Sequence, residues 1–247
     1  MIEFLSTIQS FIGNALAWLS SILWGLPMII LLLGTHIILT IRTGFVQRKI
    51  GTAILLTFKR DKNSIGDISQ FGALMVALAA TIGTGNIIGV GIAIAAGGPG
   101  AVFWCWLTGV LGIATKYSES LLSVKYRVKT ESGKMLGGPM VVLDKVMHKH
   151  WLAVFFCIAT ALAAFGIGNM SQANSISTLM SDNFSVSPYI TGLVMAFLVG
   201  LVMIGGVKWI ASVCKVLVPF MALIYVIGCI FLLVYNIDYA WDAIKLI

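Results

Sequence analysis

Apolar runs of about 20 residues recur along this chain, and each is long enough to cross a hydrocarbon core of roughly 30 Å. Lipid offers no hydrogen bonds to exposed backbone, so segments that cross it must pair their own peptide groups as helices. Only 10% of the 247 residues are charged, whereas a soluble domain needs roughly a quarter to coat its surface. With 59% of the residues hydrophobic, lipid is the solvent for much of the exterior. The expected fold class is all-α integral membrane.

The runs place about six transmembrane helices, near residues 24–41, 68–96, 101–124, 151–180, 189–204 and 216–235. Phe4, Ile8 and Phe11 stand at near-helical spacing, so residues 1–22 are expected to form an interfacial helix ahead of the first span. Pro27 falls in that span's first turn, where proline is tolerated. Gly97-Gly98-Pro99-Gly100 predicts a tight turn between spans two and three. Residues 139–150 form an amphipathic stretch expected on the membrane surface.

A net charge of +7 would suit a nucleic-acid partner only if the basic residues formed a face of their own. They cluster instead in short loops beside apolar runs. One group is Arg42, Arg48, Lys49, Lys59, Arg60 and Lys62. Another is Lys125, Arg127, Lys129, Lys134, Lys145 and Lys149, and a third is Lys208 and Lys215. These include all but Lys116 and Lys245 of the 16 Lys and Arg residues, and the three loops share one side of the membrane. The positive-inside rule makes that side cytoplasmic and puts both termini outside.

Cys105, Cys157, Cys214 and Cys229 lie in or beside apolar runs without paired spacing, which reads as packing rather than a disulfide frame or a zinc site. Glu3 and the lack of a basic leader argue against a cleaved signal peptide.

The segment 79–86, Ala-Ala-Thr-Ile-Gly-Thr-Gly-Asn, sits near the middle of the second span. Two glycines flanking a threonine weaken a helix, and a break in lipid is tolerable only if the freed groups face a ligand or a protein-lined cavity. Carbonyls ending a first half-helix can coordinate a cation, and amides opening a second can hold a carboxylate. A zwitterionic amino acid and a sodium ion could then be bound without burying a protein charge. The alternative is an unbroken helix that uses Gly85 and Gly89 as a small-residue packing face.

In the fourth span, Asn169, Gln172 and Ile176 share a helical face, and Gly166 and Gly168 are expected to let another helix approach. Gln172 either contacts a substrate or makes an interhelical hydrogen bond. Lys116 and Glu119, three apart, are expected to pair with each other rather than relay protons. His148 and His150 flank Lys149 in the surface stretch and read as solvated. No catalytic serine, metal cluster or phosphate loop is recognisable, which argues against an enzyme.

Several motifs in one order resemble the alanine or glycine:cation symporter family. They are residues 80–87, 97–106, Ala114-Thr115-Lys116-Tyr117-Ser118-Glu119, Gly137-Gly138-Pro139-Met140, residues 164–170 with Gln172-Ala173-Asn174-Ser175, and Leu217-Val218-Pro219-Phe220-Met221-Ala222. The resemblance covers nearly the whole chain.

It implies one extra helix followed by the first five-helix repeat of a leucine-transporter-type inverted-repeat fold, divided here as residues 1–66 and 67–247. It implies a bacterial plasma membrane, sodium as the co-transported ion, and alanine or glycine as substrate. Carried over by motif, Thr81, Gly83, Thr84, Gly85, Asn86 and Gln172 form the substrate site, and the main-chain carbonyls of Ala79 and Ile82 bind sodium. Asn86 would touch a second cation or stabilise the break. Members of the family run to about twice this length, and no second broken helix follows within the 247 residues. The expectation is therefore a half-length symporter, with the missing repeat on a partner chain. The alternative is a non-transporting membrane subunit or a truncated remnant.

Overall fold

A computed structural model describes residues 2–59, 68–131, 133 and 135–247; the expected loop residues Arg60, Lys62 and Lys134 lie outside these. Among the described residues, the secondary structure is helical apart from one short hairpin. In chain order the helices begin with α1 (Ile2–Leu23), α2 (Leu26–Arg42) and α3 (Ile50–Phe58). The broken second span follows as α4 (Gln70–Thr81) and α5 (Ile88–Gly97), and then comes α6 (Gly100–Lys125). Strands β1 (Val128–Lys129) and β2 (Met135–Leu136) pair antiparallel, and α7 (Pro139–Val141) leads into α8 (His150–Ala163). The remainder is α9 (Ser171–Phe184), α10 (Pro188–Ile204), α11 (Gly206–Tyr235) and α12 (Ile237–Leu246).

Among the described residues, three stretches are long and apolar enough to cross a membrane: Gln9–Arg42, His150–Phe184 and Gly206–Tyr235. The bent pair Gln70–Thr81 and Thr84–Gly97 makes a fourth if it counts as one span. Helices also stand where the third and fifth spans were expected, but they fall short for different reasons. α6 has 26 residues, yet Lys116, Ser118 and Glu119 make its last third polar. α10 has 17 residues and reaches about 26 Å, less than a bilayer core. The protein is thus a multi-pass, all-α membrane protein.

Contacts divide the chain into two units. The first holds Met1–Arg48 and Cys105–Glu119. There His36 on α2 meets Thr115 on α6, Nδ1 to Oγ1 at 2.7 Å, and its imidazole lies beside Gly112. Gln47 donates to the buried Thr40 hydroxyl at 3.0 Å and to the Val110 carbonyl at 3.2 Å. Between apolar helices such polar contacts fix which faces meet.

Lys116 and Glu119 pair as expected, at 3.1 Å one helical turn apart. Both side chains are well exposed, so the pair adds little. Lys116→Ala is expected to lower the thermal midpoint of the detergent-solubilised chain by no more than about 4 °C. A larger drop in a circular-dichroism melt would show that Lys116 holds more than its neighbour.

The second unit holds Lys49–Trp104 and Ser120–Ile247. α4 lies along α11, and α9, α10 and α11 follow one another as packed neighbours. Ser69 caps α4 by accepting the Gly72 amide at 3.2 Å. A Cβ at Gly72 would sit 2.7 Å from Cε of Lys215, so this glycine lets the lysine stem cross α4. Four residues further on, Pro219 stands inside α11 and has no amide to offer the Lys215 carbonyl.

The Gly97–Gly100 turn forms as expected. α5 ends at Gly97, Gly98 takes φ +75°, and Pro99 precedes the first residue of α6.

Candidate functional site

The second span comes apart where its glycines stand. α4 stops at Thr81, Ile82 and Gly83 are extended, and Thr84–Asn86 form a single 3-10 turn before α5 starts at Ile88. The two halves meet at 59°. A Cβ built at Gly85 or Gly89 meets nothing within 4 Å, so neither glycine packs against another helix among the described residues, and the span is broken between them and α4. The unbroken-helix reading is thereby excluded.

Some of the groups freed by the break find partners close by, and others do not. The Ile82 amide donates to Leu78 O at 2.7 Å, and the Asn86 and Ile87 amides donate to Gly83 O and Thr84 O, each at 3.1 Å. Asn86 Nδ2 donates to the Thr81 carbonyl at 3.2 Å, which makes its side chain a cap on the end of α4. Thr81 turns its hydroxyl back to Ala77 O at 2.6 Å. Among the described residues, no amide donates to the carbonyls of Ala79, Ala80 or Ile82. The amides of Gly83 and Gly85 likewise reach no backbone acceptor.

Gln172 closes the arrangement from 88 residues away. Its Oε1 accepts the Thr84 amide at 3.1 Å and the Thr84 hydroxyl at 2.7 Å. A Cβ at Gly83 would stand 2.9 Å from Nε2 of Gln172, so the glycine is what lets this side chain lie against the broken strand.

The position of Gln172 depends on a wide helical turn. Residues Ala164–Met170 form a π-helix between α8 and α9, and Gln172 is the second residue after it. Such turns are rare and concentrate at functional sites. Gly166 and Gly168 lie inside this turn, and no other helix stands against them among the described residues. A Cβ at Gly166 meets nothing within 4 Å, and at Gly168 only Ala164 of the same turn stands near. Both glycines belong to the loosened turn and have open space beside them.

No charged residue occurs between positions 79 and 91. The local field therefore comes from peptide dipoles, negative where α4 ends and positive where the chain turns into α5. Bare carbonyls beside bare amides suit a ligand carrying a cation and a carboxylate together. The structure brings Thr84, Gly83 and Gln172 together and leaves Gly85 facing open space, whereas the Thr81 hydroxyl and the Asn86 amide are engaged in holding the break.

Two contacts escaped the sequence reading. His36 is an ionisable residue in the middle of an apolar helix, and that rarity was the available signal. Asp144 pairs with His150 at 2.9 Å and with Lys145 at 3.3 Å, so His150 has a partner as well as solvent.

Discontinuous helices of this kind are what secondary transporters use to build ion and substrate sites. Comparison with known sequences agrees. The model of the sodium:alanine symporter family matches residues 9–247. A Haemophilus influenzae protein described as an uncharacterized transporter is 48% identical over 96% of this chain and 52% of its own length. The sodium/alanine symporter AgcS of Methanococcus maripaludis is 48% identical over 89% of this chain and 50% of its own. A Bacillus subtilis protein provisionally named a sodium/proton-dependent alanine carrier, YrbD, is 38% identical over 95% of this chain and 48% of its own. The chain belongs to the sodium:alanine symporter family, and it spans about half the length of these relatives.

Proposed function

We propose that this chain carries the ion- and substrate-binding repeat of a symporter that couples sodium entry to uptake of a small neutral amino acid, alanine or glycine. The observation that supports this best is the break itself, with the Thr84 amide and hydroxyl fastened to Gln172 and the carbonyls of Ala79 and Ile82 left bare. On this reading the carbonyls take sodium, and Thr81, Gly83, Thr84, Gly85, Asn86 and Gln172 surround the amino acid. Asn86 also secures the end of α4.

The same reading takes residues 1–66 as an extra helix with its loop and residues 67–247 as the first five-helix repeat of a leucine-transporter-type fold. It takes the helices α6 and α10 as the third and fifth of six spans in a bacterial plasma membrane, with both termini outside. Sodium at the end of α4 raises affinity for the amino acid by linkage, and the amino acid raises affinity for sodium equally. The bundle holding the broken helix rocks against the helices from which Gln172 reaches it.

Equilibrium binding of labelled alanine to the purified chain tests the reading. Binding is expected in sodium and is expected to fall at least about tenfold when choline replaces it. Equal binding in the two salts, or none in either, rejects this function for the chain and returns the non-transporting subunit.

A further inference from the structure

We propose that the groove under the β1–β2 hairpin binds an anionic phospholipid, with an acyl chain along α8 and its phosphate against Lys145 and His150. The groove has a volume of about 310 Å³. Its floor is built from Val128, Leu136, Met140, Val141, Val154 and Ile158. Polar groups line it at one place, where Asp144, Lys145 and His150 stand together.

The floor suits hydrocarbon. Val128 and Leu136 are paired across the hairpin, so both present the same face, and Val154 and Ile158 are one turn apart on α8. From Trp151 to Ala163 that helix has no charged residue, so the groove leads from a polar rim toward bilayer depth. An apolar groove left facing water would be costly, whereas an acyl chain fills it at no polar cost.

The rim suits an anion. Asp144 holds the Lys145 ammonium at 3.3 Å and the His150 imidazole at 2.9 Å. The hydrogen bond from His150, and then that from Lys145, keeps its carboxyl below the usual carboxylate range, so Asp144 remains an anchor for both. The two basic side chains are 66% and 81% exposed, which leaves their remaining donors turned outward. Lys149 lies next to His150, and Lys125, Arg127 and Lys129 surround the hairpin's start. This concentration of positive charge favours an anionic headgroup over a zwitterionic one.

The test is native mass spectrometry of the full chain after incubation with phosphatidylglycerol or phosphatidylcholine. One phosphatidylglycerol is expected to remain per chain, in about tenfold preference over phosphatidylcholine. Replacing Lys145 and His150 together by glutamine should remove that preference, and Val154→Trp, which fills the floor, should remove retention of both lipids. Equal retention of the two lipids by the unmodified chain overturns the proposal, and that comparison needs no variant to fold. Unchanged retention in both variants also overturns it. Cys157, an exposed thiol lining the groove, supplies the remaining arm. A covalent dimer formed there by a short bismaleimide, and not suppressed by phosphatidylglycerol, would assign the groove to a second copy of the chain instead.

Discussion

Gly85→Leu is expected to abolish sodium-dependent alanine binding while membrane insertion and helix content stay as they are. A Cβ at this position meets no heavy atom within 4 Å, so the backbone has room for a side chain to start here. The leucine must then occupy the space beside the break, where the bare amides of Gly83 and Gly85 stand. Leucine also gains about 0.8 kcal/mol of helix propensity over glycine, which favours closing the break. Both effects act against the ligand, and neither disturbs the packing of α4 on α11. Binding of labelled alanine in sodium, measured beside circular dichroism on the same sample, decides the matter. Unchanged affinity in a folded Gly85→Leu chain means that no ligand sits there.

Truncating Gln172 has the second largest expected effect. Gln172→Ala removes the acceptor of two donors on Thr84, one amide and one hydroxyl, in a half-buried setting. Leaving such donors without a partner costs about 1–3 kcal/mol, so alanine affinity is expected to fall about 10- to 100-fold. Gln172→Glu separates support of the break from contact with the ligand. The carboxylate can still accept from Thr84, yet it repels a ligand carboxylate in a low-dielectric setting. Its affinity is therefore expected to fall although the helix stays bent. If isothermal titration finds both variants binding as the parent does, Gln172 shapes the backbone and nothing more.

The break was legible in the sequence because its cause is local. Gly83 and Gly85 flank Thr84 in the middle of an apolar run, and the cost of glycine in a helix needs no tertiary information. The partner on the other side was not legible to the same degree. Gln172 could be placed on a polar helix face, but counting faces by 3.6 residues fails across the π-helix that precedes it. The contact from His36 to Thr115 joins residues 79 apart, and the one from Asp144 to His150 crosses the gap between two helices, where no periodicity runs. The count of spans was blurred where length and polarity compete, in α6 through Lys116 and Glu119 and in α10 through its 17 residues.

A helix that carries one turn wider than the rest is a counting device. Each residue of an α-helix advances the azimuth by about 100°. Losing a single position anywhere in Ala164–Met170 would swing everything from Ser171 to Phe184 around its axis by that angle. The Gln172 carboxamide would then point away from Thr84, although every amino acid that touches the break would be unchanged. In this chain the number of residues in that turn matters as much as their identity.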